Sequence, residues 1–233
     1  MIVLTVHGVK VPLAPTDVSP EIWRALSNGT YEAKEARWVF KSIRPHDRVL
    51  ELGTGIGILT SLIAGIDGVR VWAFEPSPSS VRLARRVIEA NNLDNVMLSQ
   101  GILAAGPPRD LVFYRRKDLW MSSLLEHQGP YCETLTVTSA NIDEFILQHQ
   151  IDVVVMDIEG AERDLLIHAD LPGVERIFLE LHDHLYGLAG IRDITCAMAA
   201  KGFGYDPRGS SGPCVLFSRG DAPREYRPEH ADA

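Results

Sequence analysis

Basic residues are in short supply in this 233-residue chain: 23 Lys and Arg stand against 31 Asp and Glu, a net charge of −8. That balance disfavours an obligate nucleic-acid binder, whose affinity rests on cations placed at phosphates. The clusters Arg82, Arg85, Arg86 and Arg115, Arg116, Lys117 read as solvated faces rather than a binding stripe. Cysteine is scarce too. Cys132, Cys196 and Cys214 are odd in number and scattered, with no C-x-x-C pair. A disulfide scaffold and a thiolate zinc site are therefore not expected, and a reducing compartment is. No apolar run approaches a membrane span. Ile2 to Val6 is short, with neither basic leader nor cleavage signal, so the sequence predicts a cytoplasmic protein with no membrane partner. At 45% hydrophobic and 23% charged residues, the composition is that of an ordinary globular domain rather than a disordered chain.

What is present is a strand–turn–helix signal. Residues 49–60, Val-Leu-Glu-Leu-Gly-Thr-Gly-Ile-Gly-Ile-Leu-Thr, run from apolar residues through Gly53, Gly55 and Gly57 into helix formers. Glycines at such a turn let the backbone approach a ligand without interference from Cβ. The helix behind them offers unpaired N–H groups. A ligand-free turn would use glycines as well. Glu75, at the end of the next apolar run and about 20 residues after Gly53, adds the carboxylate that a ribose would need. The third glycine falls one residue early for G-x-G-x-x-G, which disfavours a nicotinamide dinucleotide.

Around this signal, strands and helices alternate. Strands are expected at Val49–Leu52, Val69–Phe74, Val96–Ser99, Ile151–Met156 and Ile177–Leu181, with helices at Ile58–Ala64, from Ser77-Pro78 to Asn91-Asn92, and at Ile191–Ala200. Two late strands, Gly204–Asp206 and Cys214–Ser218, should pair antiparallel. The fold class is α/β: a doubly wound, mostly parallel, seven-stranded Rossmann-like sheet with a late antiparallel strand. Upstream, residues 1–46 read as a hairpin around His7-Gly8, a helix capped by Ser19, and a second helix from Thr30 to about Ile43. Residues 47–220 form the main domain. Within it residues 104–140 interrupt the alternation with Pro107-Pro108, an extra strand at Leu111–Tyr114 and a loop bearing aromatics and serines. Residues 221–233 read as a disordered tail.

The later strand ends carry ionisable residues in pairs. Asp157 and Glu159 follow the fourth strand, and Glu180 and His182 end the fifth. Residues two apart on a strand face the same way, so all four are expected at the strand tips where ligands of such sheets lie. His182, oriented by Glu180, is the first candidate for a general base, with Asp157 and Glu159 next. An octahedral Mg²⁺ held by Asp157, Glu159, Glu180 and His182 is the competing role. Glu162 reads either as part of this site or as a favourable charge opening the next helix. In the 104–140 segment, Trp120, Met121, Tyr131 and Tyr114 offer an apolar wall, and Ser122, Ser123 and His127 polar contacts, to an acceptor.

The Glu51-x-Gly53-x-Gly55-x-Gly57 loop resembles that of S-adenosylmethionine (SAM) dependent methyltransferases. With the Tyr31-Glu32 helix start, Phe74-Glu75-Pro76, Glu89-Ala90-Asn91-Asn92, Ser122-Ser123, the Thr138 to Phe145 segment, Asp157-Ile158-Glu159-Gly160-Ala161-Glu162 and Leu179-Glu180-Leu181-His182, the chain resembles the FkbM-type methyltransferases over roughly Tyr31 to His184. The resemblance implies SAM as cofactor and a small-molecule acceptor, a sugar or secondary metabolite, methylated on a hydroxyl. It implies cofactor contacts from Tyr31, Glu51, Gly53, Thr54, Gly55, Gly57, Glu75, Pro76 and Asp157, with Glu35 on the helix capping the cofactor. Two departures stand out: Glu51 and Thr54 replace the usual Asp and Ala, and Ser99-Gln100-Gly101-Ile102 replaces the acidic residue expected at the adenine. Gln100 can still accept from the adenine amine through its carbonyl. A nitrogen acceptor and a nicotinamide oxidoreductase are the alternatives, and a homodimer is left open.

Overall fold

The computed structural model describes residues 2–220; the expected disordered tail lies outside the described residues. β1 (Ile2–Val6) and β2 (Val9–Leu13) form the hairpin, with His7 and Gly8 both at positive φ as a tight turn requires. α1 (Pro20–Ser27) follows, its N-cap Ser19 accepting from Ile22 N–H.

The second helix, α2 (Ala33–Trp38), starts three residues later than Thr30 and gives way to a 3₁₀ turn at Val39–Lys41. Glu32 stands at φ 50°, and a left-handed residue cannot belong to a right-handed helix.

β3 (Arg48–Leu52) then opens the alternation, followed by α3 (Ile58–Ala64), β4 (Arg70–Glu75), α4 (Pro78–Ala90), β5 (Val96–Gln100) and the short β6 (Leu103–Ala104). β7 (Asp110–Arg115) pairs antiparallel with β8 (Glu133–Thr138), a strand the sequence reading omitted. β9 (Ala140–Asn141), α5 (Ile142–His149), β10 (Val153–Met156), α6 (Glu162–His168), β11 (Arg176–Glu180), α7 (Asp183–Ala200), β12 (Phe203–Tyr205) and β13 (Cys214–Arg219) complete the chain.

The main sheet has seven strands in the order β12-β13-β11-β10-β3-β4-β5. β11, β10, β3, β4 and β5 run parallel, and β13 is antiparallel to both β11 and β12. The strand order reverses between β3 and β10, so the crevice beyond their carboxyl ends is the expected ligand position.

Helices cover both faces. Leu50, Leu52, Val154, Met156, Ile177 and Leu179 pack against Ile142, Ile146, Leu165, Leu166, Ile194 and Met198. Val49, Val71, Val153, Val155 and Phe178 meet Val39, Leu59 and Ile63 on the other face. Each fully buried Leu or Ile contributes about 1.5–3 kcal/mol. The hairpin and α1 share a third cluster with α3 and α4, joining Val11, Leu13, Ile22 and Tyr31 to Ile56, Ile58 and Val87.

α7 begins at Asp183, eight residues before the expected Ile191, and is broken at Gly187 (φ 62°, ψ −178°). Its first turn therefore sits directly after the β11 tip. Among the described residues, no helix is long and apolar enough to cross a membrane.

Candidate active site

A cavity of about 710 Å³ opens over the carboxyl ends of β3, β4, β10 and β11, within the range of small-molecule sites. Of the expected cofactor residues, Tyr31, Gly53, Gly55, Glu75, Pro76, Gly101, Ile102 and Asp157 line it, and so does Glu35.

Glu75 is buried; its Oε2 accepts from Gly55 N–H at 3.0 Å and its Oε1 from Ser77 N–H at 2.9 Å. It thus ties the glycine loop to the start of α4. Burial pushes its carboxyl up to about 7, while the two backbone donors favour the charged form. Gly53 has φ +88°, and a Cβ there would lie 1.9 Å from the Asp157 carbonyl oxygen. Its smallness therefore lets the tips of β3 and β10 close together. A Cβ on Gly55 would instead face the Tyr31 hydroxyl at 3.3 Å and Glu32 Oε1 at 3.6 Å across the cavity.

Four expected cofactor residues stand elsewhere. Alternation along β3 puts Glu51 on the same face as Val49, towards α3, where its Oε2 accepts from the hydroxyls of Thr60 and Thr54. Thr54 is buried with it, also donating to the Phe74 carbonyl. Gly57 serves packing: a Cβ would come within 3.1 Å of Ala84 Cα on α4. Gln100 is exposed and outside the cavity; beside it the wall is made by Gly101, Ile102 and Leu103.

Burial pushes the Glu51 carboxyl up to about 7 against the two hydroxyls. A raised carboxyl pKa stabilises the fold below the unfolded value and loses that contribution as pH climbs to 7. Relative to the parent, Glu51→Gln is therefore expected to gain stability between pH 4.5 and 8, by at most about 3 kcal/mol. Urea unfolding across that range reads the difference, and a pH-independent difference would remove Glu51 as its source.

The ionisable cluster gathers at the tips of β10 and β11. His182 is buried; its Nε2 lies 3.4 Å from Asp157 Oδ1, 3.6 Å from Glu159 Oε2 and 3.9 Å from Glu180 Oε2. Its orienting partner is Glu162 rather than Glu180. Glu162 is fully buried and holds His182 Nδ1 at 2.7 Å, the Tyr186 hydroxyl at 2.9 Å and Gly160 N–H at 2.8 Å. Tyr186 is reachable because it stands four residues after His182, one helical turn on. Asp157, Glu159 and Glu180 line the cavity, whereas the imidazole lies behind them.

Burial raises Asp157 well above the carboxylate range and raises Glu159 to about 7, with their mutual repulsion adding at Asp157. For His182, burial opposes the charge, but Glu162, Asp157 and Glu159 outweigh it and lift the ring to about 9.

From the 104–140 segment, Leu119, Trp120, Ser122, Leu124 and Leu125 line the cavity, and Trp120 packs against Tyr31 with centroids 5.9 Å apart. Tyr114, Met121, Ser123, His127 and Tyr131 do not line it. Ser123 is buried, caps Leu125 N–H and pairs with Gln128, whose amide donates to Glu159 at 3.0 Å. Tyr114 and Tyr131 stack edge-on with each other outside. The sequence reading missed Glu32, which lines the cavity and accepts from Leu59 N–H at 3.2 Å.

Residues 59–205 match the methyltransferase FkbM domain. Among curated proteins, the ribosomal protein L11 methyltransferase of Chloroflexus aurantiacus is 38% identical over 65 residues, 28% of this chain and 20% of that protein. The homologue from Acetivibrio thermocellus is 30% identical over 81 residues, 34% and 26% of the two chains. The chain thus spans between a fifth and about a quarter of the length of these relatives. Among solved structures, M. jannaschii TYW2 in complex with AdoMet superposes with a TM-score of 0.51 at 13% identity, covering 93% of this chain and 85% of that one. A transferase-like protein of Pyrococcus horikoshii gives 0.51 at 14% identity, covering 94% and 72%. At such identities the structural likeness speaks for the fold. The family match, spanning more than half of the chain, goes further: the chain belongs to the FkbM family of SAM-dependent methyltransferases.

Proposed function

We propose that the protein methylates a hydroxyl of a small metabolite or sugar, held between Asp157, Glu159 and the Leu119–Leu125 wall. The observation that carries this reading is the convergence of Asp157, Glu159 and Glu180 on the cavity wall, gathered around the Nε2 of His182 behind them. A hydroxyl is a weak nucleophile until its proton leaves, and basic groups at the reacting oxygen are what such an acceptor needs.

The cavity suits the cofactor. Seven carboxyl groups line it (Glu32, Glu35, Glu75, Asp157, Glu159, Asp164 and Glu180) against one cation among the described residues, Arg109, a lining that favours a sulfonium, whose charge in turn favours their ionised forms. Each Glu75 oxygen keeps a lone pair for a ribose hydroxyl beyond its backbone donor. Gly53, Gly55 and Tyr31 would border the methionyl end, and Pro76, Gly101 and Ile102 the adenine. Bound SAM supplies the activated methyl group.

The chain's own residues do the rest. Asp157 holds the acceptor oxygen, and Glu159, whose carboxyl is raised to about 7, takes its proton. His182, fixed by Glu162, positions those carboxylates from behind. Trp120 and the leucines exclude water, which sharpens alignment and electrostatics together. The net charge of −8 disfavours polyanionic acceptors such as nucleic acid.

The test is methyl transfer from SAM to a panel of hydroxyl- and amine-bearing sugars and metabolites, read by mass. Methylated hydroxyls are expected; methylation confined to nitrogen would overturn the reading. Glu159→Gln is expected to lower kcat on the order of 100-fold with SAM affinity within a few-fold of the parent. An unchanged kcat would move proton removal away from Glu159.

A further inference from the structure

His182 binds Glu162 through Nδ1 and turns Nε2 towards Asp157 Oδ1, 3.4 Å away, a buried oxygen that lacks a hydrogen-bond partner among the described residues. Glu180 Oε2 completes the triangle at 3.9 Å from Nε2. One donor atom from each of Asp157, Glu180 and His182 lies within 4.8 Å of the others. Ligands about 2.1 Å from one ion stand roughly 3.0–3.4 Å apart when adjacent and about 4.2 Å when opposite, and the observed separations of His182 fall in that interval. The support behind the ring has the form metal-binding histidines use: a carboxylate on the far nitrogen fixes tautomer and orientation. Glu162 does this from full burial, itself fixed by Tyr186 and Gly160 N–H.

We propose that Asp157, Glu180 and His182 form a divalent-cation site on the cavity wall, with Glu159 within reach as a fourth ligand. The imidazole nitrogen suits Mn²⁺ better than Mg²⁺, which prefers an all-oxygen set. The site deepens the proposed function and rests on it for its purpose: an ion there would meet the acceptor oxygen and favour its deprotonated form. Its existence is measured separately.

The full chain, stripped with EDTA and dialysed, is titrated with Mn²⁺ and followed by calorimetry and by the electron-spin resonance signal of free Mn²⁺. One Mn²⁺ per chain is expected, bound at least 10-fold more tightly than Mg²⁺. Glu180→Gln should weaken Mn²⁺ at least 10-fold, and Glu162→Gln, which touches no ion, about 10-fold. Far-ultraviolet circular dichroism checks that both variants fold, and the partly exposed Glu180 decides if Glu162→Gln does not. Absence of saturable Mn²⁺ binding would overturn the site, as expected if a proton alone fills the gap at Nε2. Equal affinities for Mg²⁺ and Mn²⁺, or undiminished binding by Glu180→Gln, would overturn it too. Hydroxyl methylation that survives EDTA in a protein with no Mn²⁺ site sinks the metal and leaves the proposed function. Specific Mn²⁺ binding without hydroxyl methylation leaves the metal and sinks the function.

Discussion

Glu75→Ala is expected to weaken SAM on the order of 100-fold, from the loss of charge-assisted hydrogen bonds worth about 1.5–3 kcal/mol each. Part of that loss is indirect. Glu75 also accepts from Gly55 and Ser77 N–H, so the variant leaves two backbone donors free and loosens the glycine loop. Two measurements separate the roles. S-adenosylhomocysteine lacks the sulfonium charge but keeps the ribose, so its dissociation constant should rise in parallel with that of SAM. A loss confined to SAM would make Glu75 a charge partner rather than a sugar ligand. Glu75→Gln keeps one acceptor oxygen, and its affinity for both ligands should fall between parent and alanine variant. Unchanged affinities would take Glu75 out of the site.

The second large effect is expected at Gly53. Its φ of +88° and the 1.9 Å approach of a built Cβ to the Asp157 carbonyl oxygen leave Gly53→Ala no local escape, because the obstacle is backbone of the neighbouring strand. Left-handed strain alone costs about 1–3 kcal/mol, and separating the β3 and β10 tips adds to it. A fall in Tm of roughly 10 °C or more is expected, with SAM binding lost as the wall is displaced. Gly55→Ala is the control. At φ +56° it carries left-handed strain too, but its Cβ would meet the Tyr31 hydroxyl at 3.3 Å instead of backbone, so its Tm should fall less than that of Gly53→Ala while ligand affinity also drops. Equal Tm losses in the two variants would contradict this division of labour.

These two glycines show how far the chain could be read unaided. Three glycines at alternate positions looked like one ligand-facing device. In space they do three jobs: Gly53 closes two strands, Gly55 faces the cavity, and Gly57 lets α4 approach through Ala84. Spacing alone cannot divide them, because each role depends on what packs opposite.

The alternation of apolar runs with capped helices was legible. α3 falls on Ile58–Ala64 as expected, and the parallel strands lie within two residues of the expected ends. α2 was misplaced because Glu32 adopts a left-handed conformation that composition does not announce. The first turn of α7 was missed since Gly187, a strong breaker, marks a bend inside the element and not its start. β8, with its polar Thr-Leu-Thr-Val-Thr run, pairs only with β7 and carries no core signal.

In the site, Asp157, Glu159, Glu180 and His182 were foreseeable from period-two spacing at strand ends. Glu162 was ambiguous, since a carboxylate at a helix start is ordinary. Its full burial against His182 and Tyr186 is a tertiary fact. Glu51 illustrates the opposite error: a familiar motif position that the pleat of β3 turns towards Thr60 instead of the cavity.

Tyr31, Glu75, Asp157 and Glu180 reach the one cavity from well-separated stretches of the polypeptide. No contiguous fragment holds enough of the wall to grip a nucleoside, and contacts so distant in sequence are made late as a chain folds. Ligand capture should therefore vanish together with the sheet on denaturation, making a bound adenosyl compound a sensitive gauge of how intact the entire domain is.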